Sequence, residues 1–321
     1  MSLNKLIQYL LIITVLAVVP LVVRSDYVLH ILVTIAIYGI LVLGLEIILG
    51  QAGLFSLGHA AFYGMGAYTS ALLVMKLGFP LWLAAIGAMI MTAIFGAALG
   101  FPVLRLRGDY LAIATLGFGE IFRLILTNWD TLTHGPMGLP GIPRPHLFGA
   151  TPFNRVEYYY FIVFFFLVSL FLVYRISGSF LGRAFRALRD DDDAAEFMGI
   201  NTTKYKILAF ALGGVFAGLA GSFYAHYITF ISPDTFTYLD SEMMLAMVFL
   251  GGAGTVIGPV IGTIVLLLFP EVFRFLLEWR MLVVGVVMVV VMIYRPQGIW
   301  SADVHWPKFK RRSLALAEPR K

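Results

Sequence analysis

Seven polar side chains stand inside long apolar stretches of this sequence, where they could bind an ion, transfer a proton or line a polar path. They are Glu46, Gln51, Ser56, His59, Glu120, Arg123 and Glu242. An ionisable side chain at the centre of a membrane helix costs about 2.5–3.5 kcal/mol on insertion scales, so such groups usually face a cavity or a partner. These seven residues are therefore our candidates for a pathway through an apolar medium.

Several of these groups also have a purely structural interpretation. Glu120 and Arg123 are three residues apart on one helical face, where they can pair with each other. His59 lies among small residues, so a hydrogen-bonded packing role is the alternative to contact with a solute. Glu46 lies near one end of its apolar run, and Glu242 begins another run, where a carboxylate suits the helix dipole.

The sequence contains no arrangement typical of catalysis, metal binding or nucleotide binding. Its six histidines fall outside any H-E-x-x-H spacing, cysteine is absent, and neither a G-x-S-x-G elbow nor a G-x-x-x-x-G-K-[ST] loop occurs. We therefore expect no enzyme activity, no metal site and no cofactor in this chain. If ATP drives its action, another subunit must bind and hydrolyse it.

The composition is that of a membrane protein. Of 321 residues, 60% are hydrophobic and 13% are charged, and the mean hydropathy is +0.90. A soluble domain carries about 25% charged residues to cover a surface that faces water. The basic residues stand mainly at the ends of apolar runs, which favours a role in membrane orientation over binding of nucleic acid.

Apolar runs long enough to form membrane helices recur along the whole chain, since a crossing needs about 20 residues. They cover residues 6–23, 27–49, 54–75, 81–104, 110–126, 158–174, 205–227, 242–269 and 273–294. We therefore predict an all-α polytopic membrane protein with about eight to ten transmembrane helices, some of them short or broken. Residues 1–300 would form one transmembrane domain with a cytoplasmic loop at 175–206, and residues 301–321 a basic cytoplasmic tail.

The charge distribution predicts the orientation. If the helices alternate and the N-terminus is cytoplasmic, most of the 23 lysines and arginines fall on the cytoplasmic side. The basic tail also falls on the cytoplasmic side only if the run 242–269 crosses the membrane twice or turns back within it. The centre of that run contains Gly251, Gly252 and Gly254. Non-helical backbone at membrane depth is tolerated only where protein or a water-filled cavity satisfies it. We therefore predict a break at these three glycines and add them to the pathway candidates.

The loop 175–206 is predicted to form two short helices that dock on another protein. Its aspartate cluster can cap the second helix, and Gly199 can end it. We expect its apolar side chains to be buried against the partner and its charged ones to surround them. The docking candidates are Arg183, Phe185, Arg186, Leu188, Arg189, Asp190, Asp191, Glu196, Phe197, Met198 and Gly199.

Several motifs in their usual order carry a resemblance to a known family. They are residues 50–62 (GQAGLFSLGHAAF), 106–117 (LRGDYLAIATLG), 133–139 (THGPMGL), 183–199, 231–234 (ISPD) and 251–254 (GGAG). Together they resemble the permeases of bacterial branched-chain amino acid ABC importers, with the LivM-like branch as the nearest match. Four consecutive aspartates at 190–193 depart from the mixture of acids and amides that is usual there.

The resemblance implies an ABC importer permease fold in the bacterial inner membrane, with both termini cytoplasmic. It further implies a homologous second permease, two cytoplasmic ATPases that bind ATP and Mg²⁺, and a periplasmic binding protein. The implied solutes are leucine, isoleucine and valine, and residues 183–199 would be the coupling element that enters the ATPase. Transport of urea, short amides or other amino acids, and a stand-alone secondary transporter, remain alternatives.

Overall fold

The computed structural model describes residues 25–103, 106, 108–145, 153–272 and 298–300, together with a few single positions outside these ranges. The predicted first helix at 6–23 and the tail at 301–321 lie outside the described residues, as does most of the run 273–294. The predicted number of crossings therefore concerns segments beyond those described here.

The described chain is almost entirely helical. Its α-helices are α1 (Asp26–Leu45), α2 (His59–Leu77), α3 (Leu81–Val103), α4 (Asp109–Asn128), α5 (Asp130–Thr133), α6 (Arg155–Gly178), α7 (Phe180–Asp190), α8 (Asp192–Phe197), α9 (Thr202–Ile228), α10 (Tyr238–Gly251) and α11 (Ile257–Val272). A π-helical segment (Glu46–Gln51) continues α1, and two 3₁₀ turns cover Gly135–Met137 and Pro233–Thr235. Two-residue strands β1 (Leu139–Pro140) and β2 (Phe230–Ile231) pair antiparallel, with Leu139 opposite Ile231.

Among the described residues, five helices are long and apolar enough to cross a membrane. They are α1 with its π-helical extension, α3, α4, α6 and α9, and the shorter α11 is also apolar. Helix α9 occupies the centre of the bundle, where it packs against α3, α2 and α1. The helical, multi-span prediction is thus confirmed, and the apolar outer faces of α4 and α6 are exposed.

Small residues bring the central helices into backbone contact. A Cβ on Gly66 of α2 would overlap the backbone of Gly218 on α9, and one on Gly214 would lie 2.6 Å from the Thr92 carbonyl oxygen of α3. In the α10–α11 pair, a Cβ on Gly258 would lie 2.6 Å from the Gly252 carbonyl oxygen. Close packing of helix backbones stabilises helix association in lipid, where the hydrophobic effect does not drive helices together.

Two of the predicted spans are interrupted. The run 242–269 is broken where predicted, since α10 ends at Gly251, Gly252 has a φ of 117°, and α11 begins at Ile257. The run 54–75 was wrongly predicted to be helical from its start, because α2 begins only at His59. Gly53, with a φ of 70°, directs the chain out of the preceding helix before α2 can form.

The predicted role of Glu242 at a helix start is wrong. Helix α10 begins four residues earlier, where Thr237 and Asp240 form a reciprocal capping box. The Asp240 carboxylate accepts bonds from the Thr237 amide and hydroxyl at 3.0 and 2.9 Å. Glu242 is exposed on the surface of this chain.

Candidate functional site

Helix α7 meets the π-helical end of the first span and the connection between α10 and α11 at one place, which we call the Arg189 junction and define by Glu46, Gly50, Gly53, Arg189 and Gly254. Arg189, near the end of α7, donates from Nη1 to the Gly50 carbonyl oxygen at 2.8 Å. The Glu46 Oε1 atom accepts from the Gly254 amide at 2.9 Å. The junction therefore joins α7, the π-helical segment and the α10–α11 connection.

Glycine suits the junction because the Arg189 and Glu46 side chains lie directly against its backbone, and because Gly53 and Gly254 have a positive φ. A Cβ on Gly254, whose φ is 87°, would lie 2.6 Å from Arg189 Nη1. A Cβ on Gly53 would lie 2.7 Å from Arg189 Cγ, and one on Gly50 would overlap the Glu46 carboxylate. The helix ends after Gln51, so the Gly50 carbonyl has no later helical amide to accept from, and the guanidinium takes that position.

Four of the predicted pathway residues lie on the stretch from Glu46 to His59, and all four are buried. His59 Nε2 bonds the Leu41 carbonyl oxygen at 3.0 Å, so this nitrogen carries the proton. Among the described residues, Glu46 Oε2, His59 Nδ1 and both amide atoms of Gln51 have no hydrogen-bond partner. Buried polar groups without partners are costly, which is consistent with groups that contact water or a solute in another state.

The other three ionisable candidates lie away from the junction. The predicted pairing of Glu120 with Arg123 is confirmed, with Arg123 Nε 3.0 Å from Glu120 Oε2. Arg123 Nη1 also lies 3.5 Å from Asp234 Oδ1, in the segment that follows α9. Glu242 is exposed and is not brought to these groups.

The loop forms two short helices, α7 and α8, as predicted. The Asp191 side chain caps α8 by accepting from the amides of Asp193 and Ala194, both at 3.0 Å. Gly199, with a φ of 83°, follows the end of α8. The aspartate cluster thus makes a defined helix start.

The four apolar docking candidates divide into two pairs, and for one pair the prediction is wrong. Phe185 and Leu188 are 0% and 5% exposed because the apolar face of α7 packs on this chain's own bundle, with the Phe185 ring 6.1 Å from that of Tyr205. Phe197 and Met198 are 91% and 84% exposed. Only this second pair, which we call the α8 tip, is available to a partner.

Two arginines predicted to surround a docking surface bond this chain instead. Arg186 donates to the Ser177 carbonyl oxygen at 2.9 Å, and Arg189 to Gly50 as described above. Glu196 and Arg183 are exposed, the latter with its guanidinium 5.9 Å from the Phe180 ring centre. Asp190 is also exposed, 3.5 Å from Arg189.

An aromatic cluster between α1, α2, α9 and the second 3₁₀ turn was missed by sequence reasoning. Tyr63 lies 5.2–6.2 Å, between ring centres, from Tyr38, Tyr224 and Phe236, and its hydroxyl is buried without a described partner. The four rings come from separate segments, so no spacing in the sequence identifies them as a group.

The described residues contain no cluster of three or more histidines or acids that could hold a metal ion. The polar groups at the site are backbone amides and carbonyls, one guanidinium, and buried side chains that are either uncharged or a lone carboxyl group. Such groups can exchange hydrogen bonds with a polar solute or between two backbone arrangements.

Comparison with known proteins gives a consistent result. The family model described as the permease component of branched-chain amino acid transport systems matches residues 27–292. No solved structure matches this chain.

Three relatives illustrate the range of the likeness. The high-affinity branched-chain amino acid transport system permease protein LivM of Escherichia coli (strain K12) is 42% identical, over 82% of this chain and 67% of the relative. Its counterpart in Salmonella typhimurium (strain LT2) is 41% identical over the same shares. The autoinducer 2 import system permease protein LsrC of Yersinia pseudotuberculosis (strain IP 31758) is 27% identical, over 69% of this chain and 64% of the relative. The chain therefore belongs to the family of branched-chain amino acid transport system permease components.

Proposed function

We propose that this chain moves leucine, isoleucine and valine through a bacterial inner membrane, and that ATP hydrolysis by partner subunits drives it through the Arg189 junction. The LivM relatives are permeases of high-affinity branched-chain amino acid transport, which supports the solute class. The proposed mechanism depends on the hydrogen bond from Arg189 to the Gly50 carbonyl oxygen, because this bond connects α7 to the π-helical end of α1.

The first step of the mechanism is docking of the α8 tip on an ATPase. Phe197 and Met198 are large, exposed and apolar at the end of a short capped helix. Exposed apolar side chains of this kind act as anchors when a partner covers them. The ATPases would bind ATP and Mg²⁺, and this chain would bind neither.

The second step carries motion from the docked helices into the bundle. Helix α8 follows α7 directly after Asp191, and α7 packs on the bundle through Phe185 and Leu188, so a displacement of α8 would reach the bundle through α7. Arg189 then displaces the Gly50 carbonyl, and Glu46 links that displacement to the Gly254 amide. Interrupted helices expose backbone N–H and C=O groups, which suits a pathway that alternates between two faces of the membrane.

The assembly that fits this mechanism contains a homologous second permease, two ATPases and a periplasmic binding protein. The exposed apolar faces of α4 and α6 would lie against lipid or the second permease. Tight selection of the solute would then rest with the binding protein. Three carboxylates were candidates for ion coupling in a stand-alone transporter, and that alternative has less support, since Glu120 is paired, Glu242 is exposed and Glu46 accepts from the Gly254 amide.

Uptake by cells that lack their own leucine transport tests solute and coupling together. With the complete importer expressed, we expect uptake of labelled leucine, isoleucine and valine, and little uptake of labelled urea or acetamide. Replacing Phe197→Ala together with Met198→Ala should abolish leucine uptake and co-purification of the ATPase, since each anchor commonly contributes more than about 1 kcal/mol. Urea uptake above leucine uptake contradicts the solute class.

Two variants serve as controls for the α8 tip. Met137→Ala removes an equally exposed methionine, 83% exposed, on the far side of the bundle, and should leave ATPase binding unchanged. Phe185→Ala should instead lower the thermal stability of the chain, since truncating a core phenylalanine costs about 3–5 kcal/mol. Normal co-purification and uptake in the double variant would show that the α8 tip is not the docking site.

The proposed orientation places α7, α8 and both termini in the cytoplasm. A reporter enzyme that is active only outside the membrane, fused after Lys321, should therefore be inactive. The same reporter inserted after Gly141, an exposed glycine at the opposite end of the bundle, should be active. The reverse pattern contradicts the orientation.

A further inference from the structure

A charged recess lies at the end of the bundle opposite α7. It is a cavity of about 480 Å³ lined by residues that include Tyr27, His30, Arg144, Arg155 and Tyr227. Helices α1 and α6 begin at this recess, and α9 ends there. Helix α6 has 24 residues, so about 36 Å separate the recess from α7.

The charge of the recess is positive. Two arginines line it against one acid, Asp26, which pairs with Arg155 at 3.2 Å. No described carboxylate pairs with Arg144, which is exposed. The recess therefore has an unbalanced guanidinium, and guanidinium donors match the oxygens of a phosphate or carboxylate.

The walls of the recess are held in place by internal bonds. His30 Nδ1 and the Tyr227 hydroxyl are hydrogen-bonded at 2.9 Å with their rings stacked, and Tyr227 stacks on Tyr158 with ring centres 4.9 Å apart. His226, which is buried, donates from Nδ1 to the Pro143 carbonyl oxygen at 2.8 Å. That bond fixes the segment that presents Arg144.

We infer that this recess binds the phosphate of an anionic phospholipid headgroup. Three membrane helices start or end at the recess, so it lies at the depth of the headgroups. Tyrosines are enriched at that depth, and the guanidinium donors of Arg144 and Arg155 match the oxygens of an anionic headgroup phosphate. The recess is distinct from the Arg189 junction and from the α8 tip, and the inference does not depend on the proposed solute.

The test is native mass spectrometry of the full chain, purified in mild detergent and incubated with phosphatidylglycerol or phosphatidylethanolamine. We expect a preference for phosphatidylglycerol that falls about fivefold in Arg144→Gln and further in Arg144→Gln with Arg155→Gln, at about 1 kcal/mol per arginine. Arg175→Gln removes an exposed arginine from the opposite end of α6 and should leave the preference unchanged. Arg144→Gln spares the Asp26 pair, so the chain should keep its melting temperature.

Four outcomes would overturn the assignment. One is equal retention of the two lipids by the unsubstituted chain, and another is an unchanged preference in the double variant. The third is displacement of phosphatidylglycerol by millimolar leucine with the same arginine dependence, which would assign the recess to a solute carboxylate. Binding of the periplasmic protein that is lost in Arg144→Gln while lipid retention is unchanged would assign it to that protein.

Discussion

Arg189→Ala should stop leucine import while leaving the importer assembled. The substitution removes the bond to Gly50 and the guanidinium that lies against Gly254. A hydrogen bond from a charged group contributes about 1.5–3 kcal/mol, so the importer should lose at least about tenfold in transport rate. The measurement is leucine uptake into proteoliposomes that contain the complete importer and its loaded binding protein.

ATP hydrolysis by the same proteoliposomes separates lost coupling from lost structure. We expect the Arg189→Ala importer to keep its ATPase subunits and to hydrolyse ATP without uptake. Arg183→Ala, which removes an exposed arginine of the same helix, should import at the normal rate. Arg189→Lys should recover part of the uptake, because it keeps one charged donor. Normal import by Arg189→Ala would show that the junction does not transmit motion.

Gly66→Leu should prevent accumulation of folded protein. A Cβ at this position would overlap the backbone of Gly218, and a backbone cannot move aside as a side chain can. Overpacking usually costs about 1–3 kcal/mol, and we expect a larger cost where two helix backbones meet. The measurement is the monodisperse peak of a fluorescent fusion in size-exclusion chromatography.

Gly117→Leu is the matched control for this prediction. Gly117 also lies within a membrane helix, but a Cβ there would meet nothing within 4 Å. The control should therefore give a normal peak, and its leucine uptake should be retained. A normal peak for Gly66→Leu would contradict the close crossing of α2 and α9.

Local features of this fold could be predicted from sequence because local chemistry determines them. Apolar runs gave the positions of α3, α4, α6 and α9, and Gly251 and Gly252 marked the break that α10 and α11 show. The Asp191 cap followed from the preference of aspartate for helix starts. In each case the deciding interaction lies within a few residues of the position concerned.

Features that depend on distant segments could not be predicted. Phe185 and Phe197 lie in the same loop and are both apolar, yet only the packing of α7 on the bundle makes the first one core. The partner of Arg189 is Gly50, which lies 139 residues away, and no spacing rule connects them. The π-helical segment Glu46–Gln51 likewise could not be predicted, since its composition contains no signal that separates it from the α-helix that it continues.

The isolation of the α8 tip has a consequence for how such importers diversify. Phe197 and Met198 protrude at the end of a six-residue helix, while Glu46 and Gly50 are buried in the bundle. On the proposed docking at the α8 tip, a permease could change its ATPase through substitutions at these two exposed positions and keep its solute pathway unchanged. A chimera that carries residues 197 and 198 of a relative should then bind that relative's ATPase.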